Sequence, residues 1–290
     1  MKNFAIIIIN YNCYKDTLET ISSLMKFNQN LFDIYLVDNF SSTEDLKNLE
    51  KNLPNLINFI KSDRNLGFAG ANNLAIKVAL KKDYKYIFIL NPDTLIEDKN
   101  FFQIIEDEIL SSGADIIGPL VRYFPEVDKI YFAGGFVNKC LGLTQMYGKG
   151  KYISQYKNKN NIECDFITGC SMVVRREVFQ GIGLFPEEYF LYFEESDFCM
   201  NAKRNNFKII FTPKTYIFHK VSSSIKYMSD LYLFYMVRNI KIFANKYVPI
   251  YYKIFFYIFY YLYWVPGYIL ISIFKNKNLS GIKSILNALK

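Results

Sequence analysis

Residues Phe4-Ala5-Ile6-Ile7-Ile8-Ile9 form an unbroken apolar run, dominated by β-branched side chains, with no polar position to mark a solvent face. Such a run reads as a strand buried on both faces. It is too short for the apolar core of a secretory leader. Asn10-Tyr11-Asn12 follows it without a small-residue cleavage site, so no leader is expected. A doubly buried strand needs helices on both sides of its sheet, and the sequence supplies them in alternation. Leu18, Ile21 and Leu24 fall at helical spacing within 15–27, with Asp16 or Thr17 as caps. Residues 33–37, 56–60, 86–90 and 114–118 read as further strands, and 42–51, 69–81 and 101–110 as the helices between them. The expected fold is therefore α/β, with a mostly parallel central sheet. Beyond residue 119 the pattern loosens. Gly134-Gly135, Gly142, Gly148 and Gly150 interrupt short apolar runs. A strand at 166–174, a helix at 197–205, a short strand at 208–211 and an amphipathic helix at 227–246 complete the reading.

In a sheet of this kind ligands bind beyond the carboxyl ends of the strands, near a topological switch point. Polar residues fall in those places. Asn10-Tyr11-Asn12 ends the first strand, Asp38-Asn39 the second, and Asn91-Pro92-Asp93 the fourth, while Asp63-Arg64-Asn65 follows the third. Each alone is equally ordinary loop chemistry; four in a row outline a site.

Several chemistries are excluded. There is no G-x-G-x-x-G turn for a dinucleotide, no P-loop and no G-x-S-x-G nucleophile elbow. A single histidine rules out a multi-histidine metal site. Five widely spaced cysteines, with no C-x-x-C pair, fit a reducing compartment better than a disulfide scaffold. What remains is a set of carboxylates and His219. Asp93 is either a turn aspartate or a ligand for a hard divalent cation bridging phosphates. Glu194, Glu195 and Asp197 follow the run Tyr189-Phe190-Leu191-Tyr192-Phe193. They are either first-turn charges on a helix or partly desolvated acids raised toward base-competent values. His219, after Tyr216-Ile217-Phe218, is either structural or a ligand.

Read together, these segments resemble the family-2 glycosyltransferases of GT-A fold, and most closely their rhamnosyltransferase-like branch. The resemblance is carried by Ile6-Ile7-Ile8-Ile9-Asn10-Tyr11-Asn12, Val37-Asp38-Asn39-Phe40-Ser41-Ser42 and Asn65-Leu66-Gly67-Phe68-Ala69-Gly70-Ala71-Asn72-Asn73. It continues through Leu90-Asn91-Pro92-Asp93-Thr94, Thr168-Gly169-Cys170-Ser171, residues 189–197 and His219, and the Arg238-Asn239 pair in the tail is similar too. It covers residues 4 to about 223, and implies a glycosyltransferase domain at 1–225 followed by a helical segment at 226–290.

The resemblance also implies roles. Asp38 accepts a hydrogen bond from N3–H of a uracil or thymine ring, and Asn10, Tyr11, Asn12 and Asn39 border the nucleotide. Arg64, Asn65, Gly67, Phe68, Ala69 and Asn72 cover ribose and diphosphate, with Gly67 and Gly70 permitting close backbone approach and the following helix presenting its N-terminus to anions. Asn91, Asp93 and Gly169 complete the donor site. Asp93 stands last in the family's D-x-D metal triplet and His219 at a second ligand position, for Mn²⁺ or Mg²⁺. The reaction implied is inverting, single-sugar transfer from dTDP-rhamnose or a UDP-hexose. Glu195 is the expected base, Glu194 the second choice and Asp197 the third. Two departures stand out. The triplet reads Asn91-Pro92-Asp93, with one carboxylate instead of two, and Glu195 replaces the usual Asp. A weak or inactive domain that binds nucleotide-sugar or glycan is the alternative. The processive Q-x-x-R-W motif is missing, since Trp264 is the sole tryptophan and follows Tyr263. A sugar nucleotidyltransferase would need a Gly-rich basic loop where Asn10-Tyr11-Asn12-Cys13-Tyr14 stands.

Charge separates the tail from the rest. Residues 231–290 hold eight Lys and Arg and no acid, which leaves 27 bases against 27 acids in the remainder. This disfavours a nucleic-acid partner, which wants a basic face on the folded domain, and favours an anionic membrane surface. Residues 254–274 carry no charge over a length of about 31 Å as a helix. Pro266-Gly267 and five tyrosines break the apolar pattern, so a helical hairpin or interfacial helices are expected ahead of a span. The chain is thus expected at the cytoplasmic face of the cell membrane, acting on a glycan acceptor, lipid-linked, in O-antigen or capsule synthesis; a homodimer stays open.

Overall fold

The computed structural model describes residues 2–156, 159–221, 229–275 and 279–290. The elements run β1 (Phe4–Asn10), α1 (Tyr14–Leu24), β2 (Phe32–Asp38), α2 (Thr43–Asn52), β3 (Asn58–Lys61), α3 (Gly67–Ala79) and β4 (Tyr86–Leu90). They continue with β5 (Thr94–Leu95), α4 (Phe101–Ser112), β6 (Ile116–Tyr123), β7 (Ile130–Phe132), β8 (Gly135–Asn138), β9 (Leu143–Met146) and β10 (Ile162–Glu163). Then follow β11 (Ser171–Arg175), α5 (Arg176–Ile182), α6 (Glu194–Arg204), β12 (Ile209–His219) and α7 (Asp230–Tyr247).

Two compact units are present. The first takes residues up to 136, 146–190 and from 194 to the end of β12. The second takes 137–145, 191–193 and the described chain from 229 on. The boundary expected at 225/226 lies outside the described residues.

Among the described residues of the first unit one sheet has the order β10-β12-β6-β11-β4-β1-β2-β3, with β5 on β12 and β7 on β6. β1 pairs parallel with β2 and β4, and β2 parallel with β3. The chain builds outward from β1 to β3, then crosses back over β1 to place β4, so the switch point lies between β1 and β4. Phe4, Ala5, Ile6, Ile7 and Ile8 have no exposed surface, as expected for the doubly covered central strand. β11 runs antiparallel between β4 and β6, and β12 parallel to β6. The start of β11 and the ends of β1, β2, β4, β6 and β12 therefore share one edge.

The elements differ from expectation where polar residues interrupt a run. β12 continues for eleven residues, not four, because a register shift between Thr212 and Tyr216 absorbs Pro213-Lys214-Thr215 without ending the pairing. This places His219 in register with Tyr123 of β6 and Thr94 of β5. β11 begins at Ser171, not 166, because Ser171 N–H turns back onto the Thr168 carbonyl at 3.2 Å. α6 begins at Glu194, so all three acids lie in its first turn.

In the second unit, Asn239 of α7 donates to the carbonyls of Leu191 (2.7 Å) and Tyr192 (2.9 Å). Tyr192 and Phe193 hold positive φ, +67° and +76°, a conformation that needs such support. The tail helix runs from Ile250 to Phe274 and is mostly exposed. Of the two arrangements expected, hairpin or interfacial helices, no hairpin turn falls within Ile250–Phe274: π-helical turns at Tyr260–Trp264 and Ile271–Lys275 flank Pro266, whose missing N–H wider turns accommodate.

Candidate active site

Register explains the geometry. Asn10 pairs with Asp38 across β1 and β2, so the two polar ends meet directly. Asn10 is fully buried. Its Nδ2 donates toward Asp38 Oδ1 (2.9 Å), Asp45 Oδ2 (2.8 Å) and Ser41 Oγ (3.0 Å), and its Oδ1 accepts from Thr17 Oγ1 (2.7 Å). Asp38 Oδ2 accepts from Ser41 N–H (3.1 Å), and Asp45 Oδ1 from Tyr14 N–H (3.0 Å). Asn12, at φ +54°, accepts from Ser42 N–H (2.8 Å). Asp45 was not legible in advance, because a first-turn acid on a polar helix gives no sign that it will face inward. Cys13 lies beside this cluster, and burial pushes its thiol up to about 11.

The loop after β3 is tied to the same edge. Asn39 donates to Asn65 Oδ1 (3.1 Å) and Gly67 O (3.2 Å) and accepts from Leu66 N–H (2.8 Å). Gly67 N–H goes to Asn65 Oδ1 (2.9 Å) and Phe68 N–H to Phe190 O (2.7 Å). The close approach at Gly67 (φ +68°) is to the chain itself, since a Cβ there would sit 2.2 Å from Phe190 O. Three successive amides entering α3, those of Leu66, Gly67 and Phe68, have partners within the chain. Arg64 is exposed and Tyr11 half-buried. Asn72 is buried with Oδ1 unpartnered, and Ala69 is buried beside it in α3.

On the other side of β1, Asp93 follows β4 in a turn fixed from three directions. Asn91 N–H donates to Cys170 O (3.0 Å), Thr94 Oγ1 to Asn91 O (2.8 Å), and Thr20 Oγ1 of α1 lies 2.7 Å from both Pro92 O and Thr94 O. His219 reaches the turn because it pairs with Thr94: Nε2 stands 3.1 Å from Asp93 Oδ1, with both residues 5% exposed. The other ring nitrogen, Nδ1, is buried without a partner among the described residues. Tyr131 of β7 packs edge-on against the imidazole, with ring centroids 4.6 Å apart.

The acids of α6 differ among themselves. Asp197 accepts from the buried Tyr189 hydroxyl at 2.6 Å. Glu194 is 4% exposed, its Oε2 has no partner among the described residues, and burial followed by the neighbouring Glu195 charge holds its carboxyl well above the usual range. Glu195 is half-buried; desolvation pushes it up to about 7 against the pull of the Glu195 and Ser196 backbone N–H groups. Gly169 lies between Phe68 and α6: a Cβ there would stand 2.8 Å from the Phe68 ring and 3.8 Å from Glu195 Cβ. Burial raises the Cys170 thiol, and the Asp93 and Glu195 charges add to it. The same two charges act on the Tyr131 phenol, which burial also raises. His219 thus meets Asp93 and Tyr131 directly, and the Asp93 and Glu195 charges both reach Tyr131 and Cys170. Tyr131 lay in the irregular stretch, where nothing in the pattern singled it out.

An open sheet with acids at the ends of parallel strands, split about a switch point, is the arrangement on which α/β folds bind ligands, and the solved structures it superposes on make it a GT-A fold. The model of glycosyl transferase family 2 matches residues 5–183, and the chain belongs to that family. It is 28% identical over 212 residues to the low-salt glycan biosynthesis hexosyltransferase of Haloferax volcanii, covering 72% of this chain and 64% of that one. To the dTDP-rhamnosyl transferase RfbF of Shigella flexneri it is 24% identical over 260 residues, 86% of this chain and 82% of the relative. The structure of GalNAc-T7 with UDP, GalNAc and Mn²⁺ superposes with a TM-score of 0.66 at 16% identity, over 99% of this chain and 56% of that one. The chain therefore spans less than two thirds of the length of the Haloferax relative and of GalNAc-T7.

Proposed function

We propose that the chain transfers one sugar, with inversion, from a pyrimidine nucleotide-sugar (dTDP-rhamnose or a UDP-hexose) to a glycan hydroxyl. The observation that carries this reading is the sheet edge that holds Asp38, Asp93 and His219 together, with the half-buried Glu195 packed beside it across Gly169; desolvation raises that carboxyl to about 7. A carboxylate raised to that range takes a proton well near neutral pH. Asp38 keeps lone pairs free to accept the N3–H of the base. Glu195 removes the proton of the acceptor hydroxyl as its oxygen attacks the anomeric carbon. The bond from that carbon to the nucleoside diphosphate breaks, and the diphosphate leaves with the electron pair.

The donor set at Asp93 and His219 fits a divalent cation. One carboxylate oxygen and one imidazole nitrogen converge, and among the described residues no third His, Cys, Asp or Glu joins them, which leaves positions for phosphate oxygens and water. Mn²⁺ or Mg²⁺ there would offset the charge that builds on the leaving diphosphate. The complex of GalNAc-T7 with UDP and Mn²⁺ supports this choice.

The acceptor is a lipid-linked glycan in the synthesis of a surface polysaccharide such as O-antigen or capsule, met at the cytoplasmic membrane surface. The exposed side of the tail helix supports this: Ile254, Phe255, Ile258 and Leu262 are 49–65% exposed, while Phe256 and Tyr260 on its other side are buried. An exposed apolar stripe in a tail without acids suits an anionic interface.

A thermal-shift panel of dTDP-, UDP- and GDP-sugars with and without Mn²⁺ tests the donor site. A metal-dependent rise with one pyrimidine nucleotide, lost in Asp93→Ala, is expected. No rise with any nucleotide would sink the reading and leave a glycan-binding domain in its place.

A further inference from the structure

Residues 129–162 contain six lysines and no acid, a local imbalance inside a domain that is neutral as a whole. Part of that stretch folds into a ribbon beside the site. Ile130 N–H donates to Lys151 O (2.9 Å), Gly150 N–H to Ile130 O (2.8 Å) and Ala133 N–H to Tyr147 O (3.0 Å). Ile130 and Phe132 point into the core with no exposed surface. Gly148 (φ +76°) stands over them, where a Cβ would crowd Ile130 and Ala133 at 3.1 Å. The residues between face outward and interleave charge with aromatic surface. Lys129 Nζ lies 5.7 Å from the Tyr152 ring centre, Lys149 Nζ 5.3 Å from that of Tyr131, and Lys151 Nζ 5.2 Å from that of Tyr147.

Lys129 is paired with Glu126. Lys149 and Lys151 are exposed, and no carboxylate neutralises either among the described residues. Tyr147 and Tyr152 are 44% and 49% exposed, large rings with a face to offer. The ribbon is continuous with the reaction site, because Tyr131 carries Lys149 on its ring and touches His219 at its edge.

We propose that this ribbon is the acceptor subsite and that it selects a saccharide bearing an anionic group, a phosphate or a carboxylate. The inference rests on the transferase reading above. Exposed tyrosine faces pack against the apolar faces of sugar rings. Lys149 and Lys151 form charge-assisted hydrogen bonds to the anion. Tyr131 sets the distance between that anion and the hydroxyl presented near Glu195. The lysines already lie over tyrosine rings, so fewer side-chain rotamers are frozen when the anion arrives.

The full chain is titrated calorimetrically with four probes: chitobiose 1-phosphate, neutral chitobiose, trigalacturonate and inorganic phosphate. The wild type is expected to bind an anionic saccharide about tenfold or more tighter than neutral chitobiose, and inorganic phosphate more weakly than either. The phosphate and carboxylate arms decide which anion is read. In a Lys149→Glu, Lys151→Glu double variant the preference for the anionic saccharide disappears, while Tyr147→Ala weakens charged and neutral probes alike. Both lysines are exposed, so the double variant folds, and its Mn²⁺-dependent nucleotide shift matches the wild type. Equal affinity for charged and neutral chitobiose, no binding of any anionic probe, or an unchanged preference in the double variant would each overturn the proposal. So would a nucleotide shift lost with the lysines, which would assign them to the donor. If the variant loses only its binding to phosphatidylglycerol vesicles, the lysines serve a lipid surface and the subsite falls. A wild type that binds anionic saccharide but no nucleotide overturns the transferase reading and with it the acceptor role, and leaves the ribbon as an anionic-saccharide site.

Discussion

At the ends of β1 and β2, Asn10 holds Asp38, Asp45 and Ser41 together, and Thr17 and Tyr14 close the network from α1. At the ends of β4 and β12 and the start of α6, Glu194 Oε2, His219 Nδ1 and the buried Ser171 Oγ have no hydrogen-bond partner among the described residues, and the Glu195 carboxyl is desolvated. Both halves lie on one sheet edge and are similarly buried. The difference teaches what each is for. A network with its donors and acceptors matched is rigid and keeps its shape whether or not ligand is bound, which suits recognition of a flat base. Buried polar atoms that lack a protein partner among the described residues are the ones a bound ligand can still satisfy. A carboxyl kept out of water is the one able to move a proton near neutral pH.

Glu195→Gln should sharpen this contrast most. Transfer falls by about 10²–10⁴-fold, the usual worth of a general base, while the nucleotide thermal shift persists. Steady-state transfer and thermal shift on one preparation check both halves; full retention of transfer would remove Glu195 from the mechanism. Next in size is Asp38→Ala. It strips a buried acceptor from the Asn10 amide and costs about 1–3 kcal/mol, read as a Tm lower by several degrees with weakened pyrimidine nucleotide binding. If Asp38→Ala leaves the Tm untouched, the two halves are not built differently. The pH profile follows. Glu195 must be unprotonated to act, so turnover should rise through about pH 7, with the rise absent from the residual activity of Glu195→Gln. The smallest effect is expected at Glu194→Gln. The folded state binds this proton more tightly than the unfolded chain, so the stability Glu194 contributes is complete below the unfolded carboxylate range and is lost as pH rises through its elevated folded value. The Tm advantage of Glu194→Gln should therefore grow between pH 5 and 8; an advantage that shrinks would place the charge in a solvated setting.

Much of the satisfied half was legible. The run ending in Asn10 and the Asp38-Asn39 pair lie at strand ends that apolar periodicity marks out, and parallel pairing of equal-length strands brings them level. What escaped was partner choice. Nothing in Thr43–Asn52 announces that Asp45 turns inward, and the glycine at 67 reads as readily for a phosphate as for the Phe190 carbonyl that it meets. The other half depended on contacts far apart in sequence. His219 reaches Asp93 across 126 residues, and only because β12 survives its bulge at Pro213. Tyr131 enters the site from a stretch whose short strands have no period long enough to read.

The sequence by itself determined the alternation of strands and helices, the buried central strand, the row of polar strand ends and the separate character of the acid-free tail. These follow from local periodicity and composition, which a residue carries wherever it is placed. Only the tertiary structure decided which polar atoms are matched and which are stranded, which of the three acids of α6 is bonded to Tyr189 and which is left desolvated, and that Lys129 meets Tyr152 and Lys149 meets Tyr131 on one ribbon. Those outcomes are set by burial and distance between side chains remote along the chain, and both quantities come into being only when the sheet closes.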